Sequence, residues 1–167
     1  MSEESLDPLT VVSRDTWGAL PPKAAAPPLD TPLPQVIVHW ATGTDPCETT
    51  EACTKIMQDI QKNHMEEKGL DDIAYNFVIG GDGKAYTGRG WEGAPSPLIY
   101  PHHVPTRRID IAYIGREWGR GTIPWEMLQA ALQLLSTGVE TKLLDEEYDT
   151  AEHPVEIGND EVSGEEA

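Results

Sequence analysis

Short apolar runs recur along this chain, and each of them predicts a β-strand. They cover residues 36–40, 75–79, 84–87 and 109–115. The run at 36–40 is apolar at almost every position, which is typical of a strand buried on both faces of its sheet. Between 75–79 and 84–87, the residues Gly80-Gly81-Asp82-Gly83 tolerate positive φ at a tight turn. These two runs therefore predict a β-hairpin.

Two longer stretches repeat their apolar residues at helical spacing. In the first, the repeat joins Cys53, Ile56, Met57, Ile60 and His64. Thr49 or Thr50 can cap the start of this helix, and Gly69 ends it. The second helix is predicted to open at 122–124 and to end near Leu144. Its buried face is predicted to consist of Met127, Leu128, Ala131, Leu132, Leu135 and Val139.

These elements indicate the fold class. A last edge strand is expected at 148–152, after the second helix. Strands interleaved with two helices predict a mixed α/β domain. The 167 residues suffice for one such domain. No apolar run approaches the roughly 18 residues that a transmembrane helix needs, so no membrane span is predicted.

The acidic charge of the chain is concentrated in its last residues. The formal net charge is −17, and residues 145–167 contain ten Asp and Glu but no Lys or Arg. We therefore expect an acidic N-terminal extension over 1–9, a folded domain over 10–154 and an acidic disordered tail over 155–167. No basic face is evident that could neutralise phosphates, which argues against nucleic-acid binding.

The two cysteines, Cys47 and Cys53, leave two interpretations open. A disulfide between a loop residue and the first turn of a helix is geometrically reasonable, and it would stabilise the fold by about 2–3 kcal/mol. Two separate buried thiols are the alternative. Their spacing excludes a Cys-x-x-Cys metal or redox motif. A bridged pair would indicate maturation in an oxidising compartment, whereas free thiols would favour a cytosolic form.

Three features are candidates for chemistry. The hairpin is followed by Gly88-Arg89-Gly90-Trp91, and an Arg between two glycines suits a ligand groove better than a packed core; a flexible loop is the alternative. His39 closes the buried strand at 36–40, either as a hydrogen-bonded structural residue or as a ligand. Asp110 interrupts an apolar strand, so its carboxylate must face solvent or a partner.

Taken together, several segments resemble the peptidoglycan recognition proteins, which are relatives of the zinc-dependent type-2 N-acetylmuramoyl-L-alanine amidases. The matching segments are 13–18, 36–39, the Cys47 and Cys53 pair, 63–65, 72–77, 88–91, 111–115, 138–140 and the stretch from Tyr148 to His153. They cover about 140 residues in one order. The resemblance implies the amidase-2 fold, an α/β fold in which a central mixed β-sheet is flanked by helices. It also implies a groove for a glycan-peptide stem, and a disulfide between Cys47 and Cys53. The helix that normally closes this fold is expected to be missing.

The resemblance also implies an incomplete metal site. Catalytic members hold zinc with two His and one Cys, and a water occupies the open position. His39 matches the first ligand and His153 the second, but the expected Cys is absent, and Glu161 stands nearest its position. Tyr75 matches the tyrosine beside the metal, and we expect it to be vestigial. No cofactor is expected, unless Glu161 or Asp160 completes a zinc site in an active amidase.

Seven residues are expected to contact a ligand: His39, Trp40, Tyr75, Arg89, Trp91, Arg107 and Arg108. The first five are predicted to line one face, and Trp40 is predicted to fill part of the groove in place of a polar residue. Arg107 and Arg108 lie near the position where some members bind a diaminopimelate carboxylate; a solvent-facing arginine pair is the alternative.

These expectations favour a non-catalytic domain that binds peptidoglycan or a muropeptide, or that modulates innate immune signalling. An active zinc amidase is one alternative. A second is a decoy that binds no cell wall and pairs with other recognition-protein receptors. The family implies an extracellular location or a receptor ectodomain, and the sequence leaves a cytoplasmic form open.

Overall fold

The computed structural model describes residues 8–41, 44–95, 107–115 and 123–153, with the side chain of His153 excepted. Within these ranges the chain forms six strands and three helices. The strands are β1 (Val11–Val12), β2 (Leu33–Ala41), β3 (Phe77–Ile79), β4 (Ala85–Thr87), β5 (Ile109–Ile114) and β6 (Leu144–His153). The helices are α1 (Arg14–Trp17), α2 (Thr50–Glu66) and α3 (Trp125–Glu140).

The strands form one mixed sheet in the order β1-β4-β3-β5-β2-β6. β3 and β4 make the predicted antiparallel hairpin, and the other neighbours pair in parallel. Buried residues form two clusters, one on each face of the sheet. Residues of α2 pack in the first cluster and residues of α3 in the second. The predicted α/β class, a mixed sheet between helices, is therefore confirmed.

The predicted end of the second helix was wrong. α3 ends at Glu140, and Leu144 is already the first residue of β6. The chain turns through Lys142, which adopts a positive φ of 67° although it is not glycine. Leu132 was predicted to lie on the buried face of this helix, but it is 52% exposed. The expected edge strand exists and is longer than predicted, since β6 pairs with β2 along 33–39.

Several expectations concern residues outside the described ranges. They include residues 1–7 of the acidic extension expected over 1–9, the tail over 155–167 with Asp160 and Glu161, and the missing closing helix. These stay predictions. Among the described helices, none combines the length and the apolar character that a membrane crossing needs.

The structure joins Cys47 and Cys53 in a disulfide. Thr49 caps α2 by accepting a hydrogen bond from the Ala52 amide, and this places Cys53 in the first turn of the helix. The carbonyl of Cys47 lies against Gly81 of the hairpin turn, where a side chain would collide with it. The disulfide loop is thus fixed both to α2 and to the hairpin.

Replacing both cysteines by alanine is expected to lower the free energy of unfolding by about 2 kcal/mol, because the short loop is no longer closed in the unfolded chain. Urea denaturation of the Cys47→Ala/Cys53→Ala variant measures this loss. The unmodified protein with a strong reductant should show a similar loss. Equal midpoints with and without reductant would contradict the expectation.

Candidate functional site

A cluster of polar side chains lies buried near the centre of the sheet. His39 of β2 pairs in register with Ala112 of β5 and with His153 of β6. His39 is 1% exposed, and Arg108 and Asp110 are 2% and 0% exposed. Three ionisable groups are thus withdrawn from water at one place, which requires that they compensate one another.

Asp110 provides this compensation. Its Oδ1 lies 2.9 Å from Nε of Arg108 and 3.3 Å from Nε2 of His39. Burial alone would raise the pKa of Asp110, but the hydrogen bond and charge of His39, together with the charge of Arg108, outweigh it and lower the pKa. The sequence required that Asp110 face solvent or a partner, and the structure shows partners. In the described part of the chain, its second oxygen, Oδ2, has no hydrogen-bond partner.

Tyr75 lies between two histidines. Its ring centroid is 5.4 Å from that of His39 and also 5.4 Å from that of His64, which meets it edge-on. The Nδ1 atom of His64 accepts a hydrogen bond of 3.0 Å from the Ala74 amide. Burial, followed by the charges of Lys68 and Arg89, lowers the pKa of His64 to about 4. His64 is therefore neutral at pH 7, with its proton on Nε2.

In the sequence, His64 stands only as the last member of the apolar stripe of α2, and nothing there marks it as a site residue. The available signal was a histidine on the buried face at the end of a helix. Such a position brings it next to the segment 72–76 that follows the helix.

Arg89 connects the loop after the hairpin to the segment before it. Its Nε donates to the carbonyl of Ile73 at 2.8 Å, and its Nη1 donates to the carbonyl of Ala94 at 3.0 Å. Asn76 adds bonds from its amide to the carbonyls of Gly90 and Gly93. The guanidinium of Arg89 thus holds two backbone segments together beside Tyr75. Its predicted contact with a ligand stays a prediction.

Trp40 and Trp91 lie on the other face of the sheet, in the cluster that packs against α3. Trp40 stacks on Tyr113 with ring centroids 5.6 Å apart, and Trp91 lies 5.2 Å from Phe77. Side chains alternate along a strand, so Trp40 must point away from the face that its neighbour His39 occupies. The expectation that all five residues share one face was wrong. We no longer expect Trp40 to fill a groove beside His39.

The two neighbouring arginines, Arg107 and Arg108, lie in different environments. Arg107 is exposed and donates from Nη2 to the carbonyls of Asp30 and Pro32, at 3.2 and 2.9 Å. Arg108 is buried against Asp110. The pair therefore does not present two guanidinium groups to a ligand carboxylate, and Arg107 is the one that solvent reaches.

The described residues do not complete a zinc site. Among them, no group of three or more His, Cys, Asp or Glu side chains is placed to hold a metal ion. The unpartnered Oδ2 of Asp110 does not require a cation, because Arg108 already compensates this carboxylate. His39 can supply one ligand, and the other candidate groups, His153, Asp160 and Glu161, have side chains outside the described set.

A cavity of about 850 Å³ lies on the opposite side of the sheet from His39. Its lining includes Leu9, Phe77, Thr87, Trp91, Leu134 and Thr137. Most of these side chains belong to the cluster that packs against α3. The cavity is therefore separate from the polar cluster of His39, Tyr75 and Asp110.

Comparisons with known proteins agree with this architecture. A family model described as N-acetylmuramoyl-L-alanine amidase matches residues 29–164. Peptidoglycan-recognition protein LB of Drosophila melanogaster is 37% identical over 145 residues, which is 86% of this chain and 60% of that protein. The chain thus spans less than two thirds of this relative.

Two solved structures with bound ligand are also similar. One is tracheal cytotoxin bound to the ectodomain complex of peptidoglycan recognition proteins LCa and LCx. It has a TM-score of 0.79 at 30% identity and covers 87% of this chain and 84% of that one. The other is peptidoglycan recognition protein-LE in complex with tracheal cytotoxin, a monomeric diaminopimelic acid-type peptidoglycan. Its TM-score is 0.78 at 28% identity, over 86% of this chain and 82% of that one.

Proposed function

This chain belongs to the family of peptidoglycan recognition proteins, and we propose that it binds bacterial peptidoglycan or a muropeptide without cleaving it. The observation that carries the proposal is the similarity to structures that contain a bound peptidoglycan fragment. The residues we assign to the ligand are His39 and Tyr75, with His64 beside them. Tyr75 contacts both imidazole rings, so the three rings form one aromatic and polar cluster near the centre of the sheet.

The cysteines support a non-catalytic function. The chain contains two cysteines, and both are in the disulfide. No thiolate is then left in this chain to serve as the third zinc ligand of the catalytic members. The disulfide also supports an extracellular location or a receptor ectodomain. Any cleaving activity would depend on a carboxylate such as Asp160 or Glu161.

Retention on insoluble diaminopimelate-type peptidoglycan tests the proposed binding. We expect the unmodified chain to be retained, with a dissociation constant for a single muropeptide in the micromolar-to-millimolar range. Tyr75→Leu should weaken retention about tenfold, because it removes the ring that His39 and His64 both contact. Tyr113→Leu is the matched control. Tyr113 is as buried as Tyr75, at 4% exposure, but stacks on Trp40 on the other face.

The other outcomes identify the alternatives. Release of cleaved stem peptide after zinc is added, if it disappears in His39→Ala, would establish an active amidase. Absence of retention, with capture of a second recognition-protein receptor, would establish a decoy. Equal weakening by Tyr75→Leu and Tyr113→Leu would show that the polar cluster is not the binding site.

A further inference from the structure

The helix α3 carries more apolar residues than it buries. Its buried face packs against the sheet. Outside that face, Trp125 and Leu132 are 59% and 52% exposed, and Leu128 between them is half-buried. The three residues are spaced at i, i+3 and i+7, so they follow one side of the helix. Large apolar side chains that line up in contact with water are typical of a surface that binds a partner.

This apolar stripe lies on the flank of α3 that faces away from the N-terminal residues. The other flank is polar, and its Gln129 and Gln133 line a small cavity together with Leu9. Leu128 and Leu132 each precede one of these glutamines by one position, which is about 100° around the helix axis. The stripe is therefore directed toward the end of the sheet that β2 and β6 form.

At that end, the sheet also presents apolar side chains on the face that carries α3. Val38 and Trp40 of β2 and Tyr148 of β6 pack against the same buried cluster as the helix, and all three are only half-buried. The strand and helix residues together form one apolar surface, called here the α3–β6 surface. Its residues are Val38, Trp40, Trp125, Leu128, Leu132 and Tyr148.

Carboxylates border the α3–β6 surface. Residues 123–153, which contain α3 and β6, include seven Asp and Glu and one Lys. Glu126 and Glu140 are exposed on α3, and Glu146 and Asp149 are exposed on β6. Such a border attracts a basic partner and repels an acidic one.

The same charge disfavours two other occupants. Residues 154–167 of this chain contain five Asp and Glu and no Lys or Arg. A second copy would bring the same carboxylates against those of the first, and each copy has a formal net charge of −17. Neither of them complements the border of the α3–β6 surface.

We propose that the α3–β6 surface is a docking site for a basic amphipathic helix of another protein. A helix that binds in this way places apolar anchors at i, i+3 or i+4, and i+7 on the apolar surface. Its Lys or Arg side chains then lie toward the surrounding carboxylates. The site is on the opposite face of the sheet from His39 and Tyr75, so the inference goes beyond the proposed function and does not depend on it.

A synthetic helical peptide of 16 residues, as long as α3, tests the site. Its leucines stand at i, i+3, i+4 and i+7 along one face, and lysines stand on both flanks. We expect calorimetry to give a micromolar dissociation constant. A peptide of the same composition with its leucines scattered around the helix should bind about tenfold more weakly, as should one with Glu in place of Lys. Equal binding of the scattered peptide would overturn the proposal, because charge alone would then explain the attraction.

Leu132→Gln and Leu20→Gln are matched variants of the protein. Both remove an exposed leucine, since Leu132 is 52% and Leu20 48% exposed. Leu20 lies elsewhere, in a segment that hydrogen-bonds to Gln61 of α2. We expect Leu132→Gln to weaken binding of the leucine-lysine peptide about tenfold and Leu20→Gln to leave it unchanged. Unchanged binding by Leu132→Gln, or equal weakening by both variants, would overturn the proposal.

Amide NMR of the full chain locates the contact. The peptide should shift the signals of α3 and β6 and leave those of residues 72–76, around Tyr75, in place. Shifts confined to 72–76 would overturn the proposal. Without peptide, Leu132→Gln should not change the signals of residues 154–167. A change there would show that this segment occupies the α3–β6 surface, which would also overturn the proposal.

Sedimentation of the chain alone tests the remaining occupant. We expect a monomer, because the acidic borders of two copies repel each other. A dimer that Leu132→Gln dissociates and Leu20→Gln does not would assign the α3–β6 surface to a second copy and overturn the proposal.

Discussion

Replacement of Arg108 by methionine is expected to lower the free energy of unfolding by about 3–5 kcal/mol. The substitution leaves Asp110 fully buried and without the guanidinium that lies 2.9 Å from its Oδ1. A buried carboxylate that loses its cation must either remain charged in an apolar surrounding or bind a proton, and both are costly. Denaturant unfolding followed by tryptophan fluorescence measures the loss.

The neighbouring residue provides the control. Arg107→Met makes the same substitution one position earlier, where the side chain is exposed and donates to two backbone carbonyls. It should cost less than about 1 kcal/mol. The double variant Arg108→Met/Asp110→Asn should recover most of the loss, because it also removes the unpaired charge. A similar cost at both arginines would show that the buried pair contributes little.

The hairpin and the strand runs could be predicted because their signals are local. Gly83 adopts the positive φ that the turn sequence led us to expect, at 78°. The end of α3 had no such signal. Lys142 takes a positive φ without being glycine, and the apolar Leu144 continues the helical pattern although it belongs to β6. Lysine does not normally favour this conformation, so the chain reversal at Lys142 is set by the packing of the two elements it joins, α3 and β6.

The sequence indicated which residues belong to the candidate site, but it did not show on which face of the sheet each of them lies. The run at 36–40 is apolar on both faces, so polarity could not show which face His39 occupies. The same uncertainty placed Trp40 and Trp91 beside it, although they pack against α3. Arg107 and Arg108 are both arginines, so residue type could not show that Arg107 is exposed and Arg108 buried. The position at which β5 begins, Ile109, decides this.

The contact between His39 and Asp110 is non-local. The sequence could therefore indicate that Asp110 needs a partner, but not which residue that partner is. A carboxylate in a strand predicts a partner but does not name one. The partner on β2 is determined by the parallel pairing of β2 with β5, which sets Ile37 opposite Asp110 and His39 opposite Ala112. His39 and Asp110 are therefore two positions apart in register on neighbouring strands.

Lowering the pH from 6.5 to 4 is expected to remove about 3 kcal/mol of stability through His64 alone. Its pKa falls from 6.5 to about 4 on folding, first because of burial and then because of Lys68 and Arg89, with His39 adding to this and Asp72 opposing it. Between these two pH values the unfolded chain binds the proton and the folded chain does not. Protonation therefore favours unfolding, and the stability present above pH 6.5 is lost as the pH falls.

His64→Asn should flatten this part of the stability curve. Asparagine does not titrate here, and its side-chain oxygen can still accept the hydrogen bond from the Ala74 amide that Nδ1 of His64 accepts. Lys68→Gln leaves His64 buried and removes only the second-largest cause of its lowered pKa. It should therefore change the slope of stability against pH only slightly. Urea unfolding at a series of pH values between 4 and 7 compares the three proteins. If His64→Asn lost stability as steeply as the unmodified chain, the acid sensitivity would have to come from groups other than the histidine that lies against Tyr75.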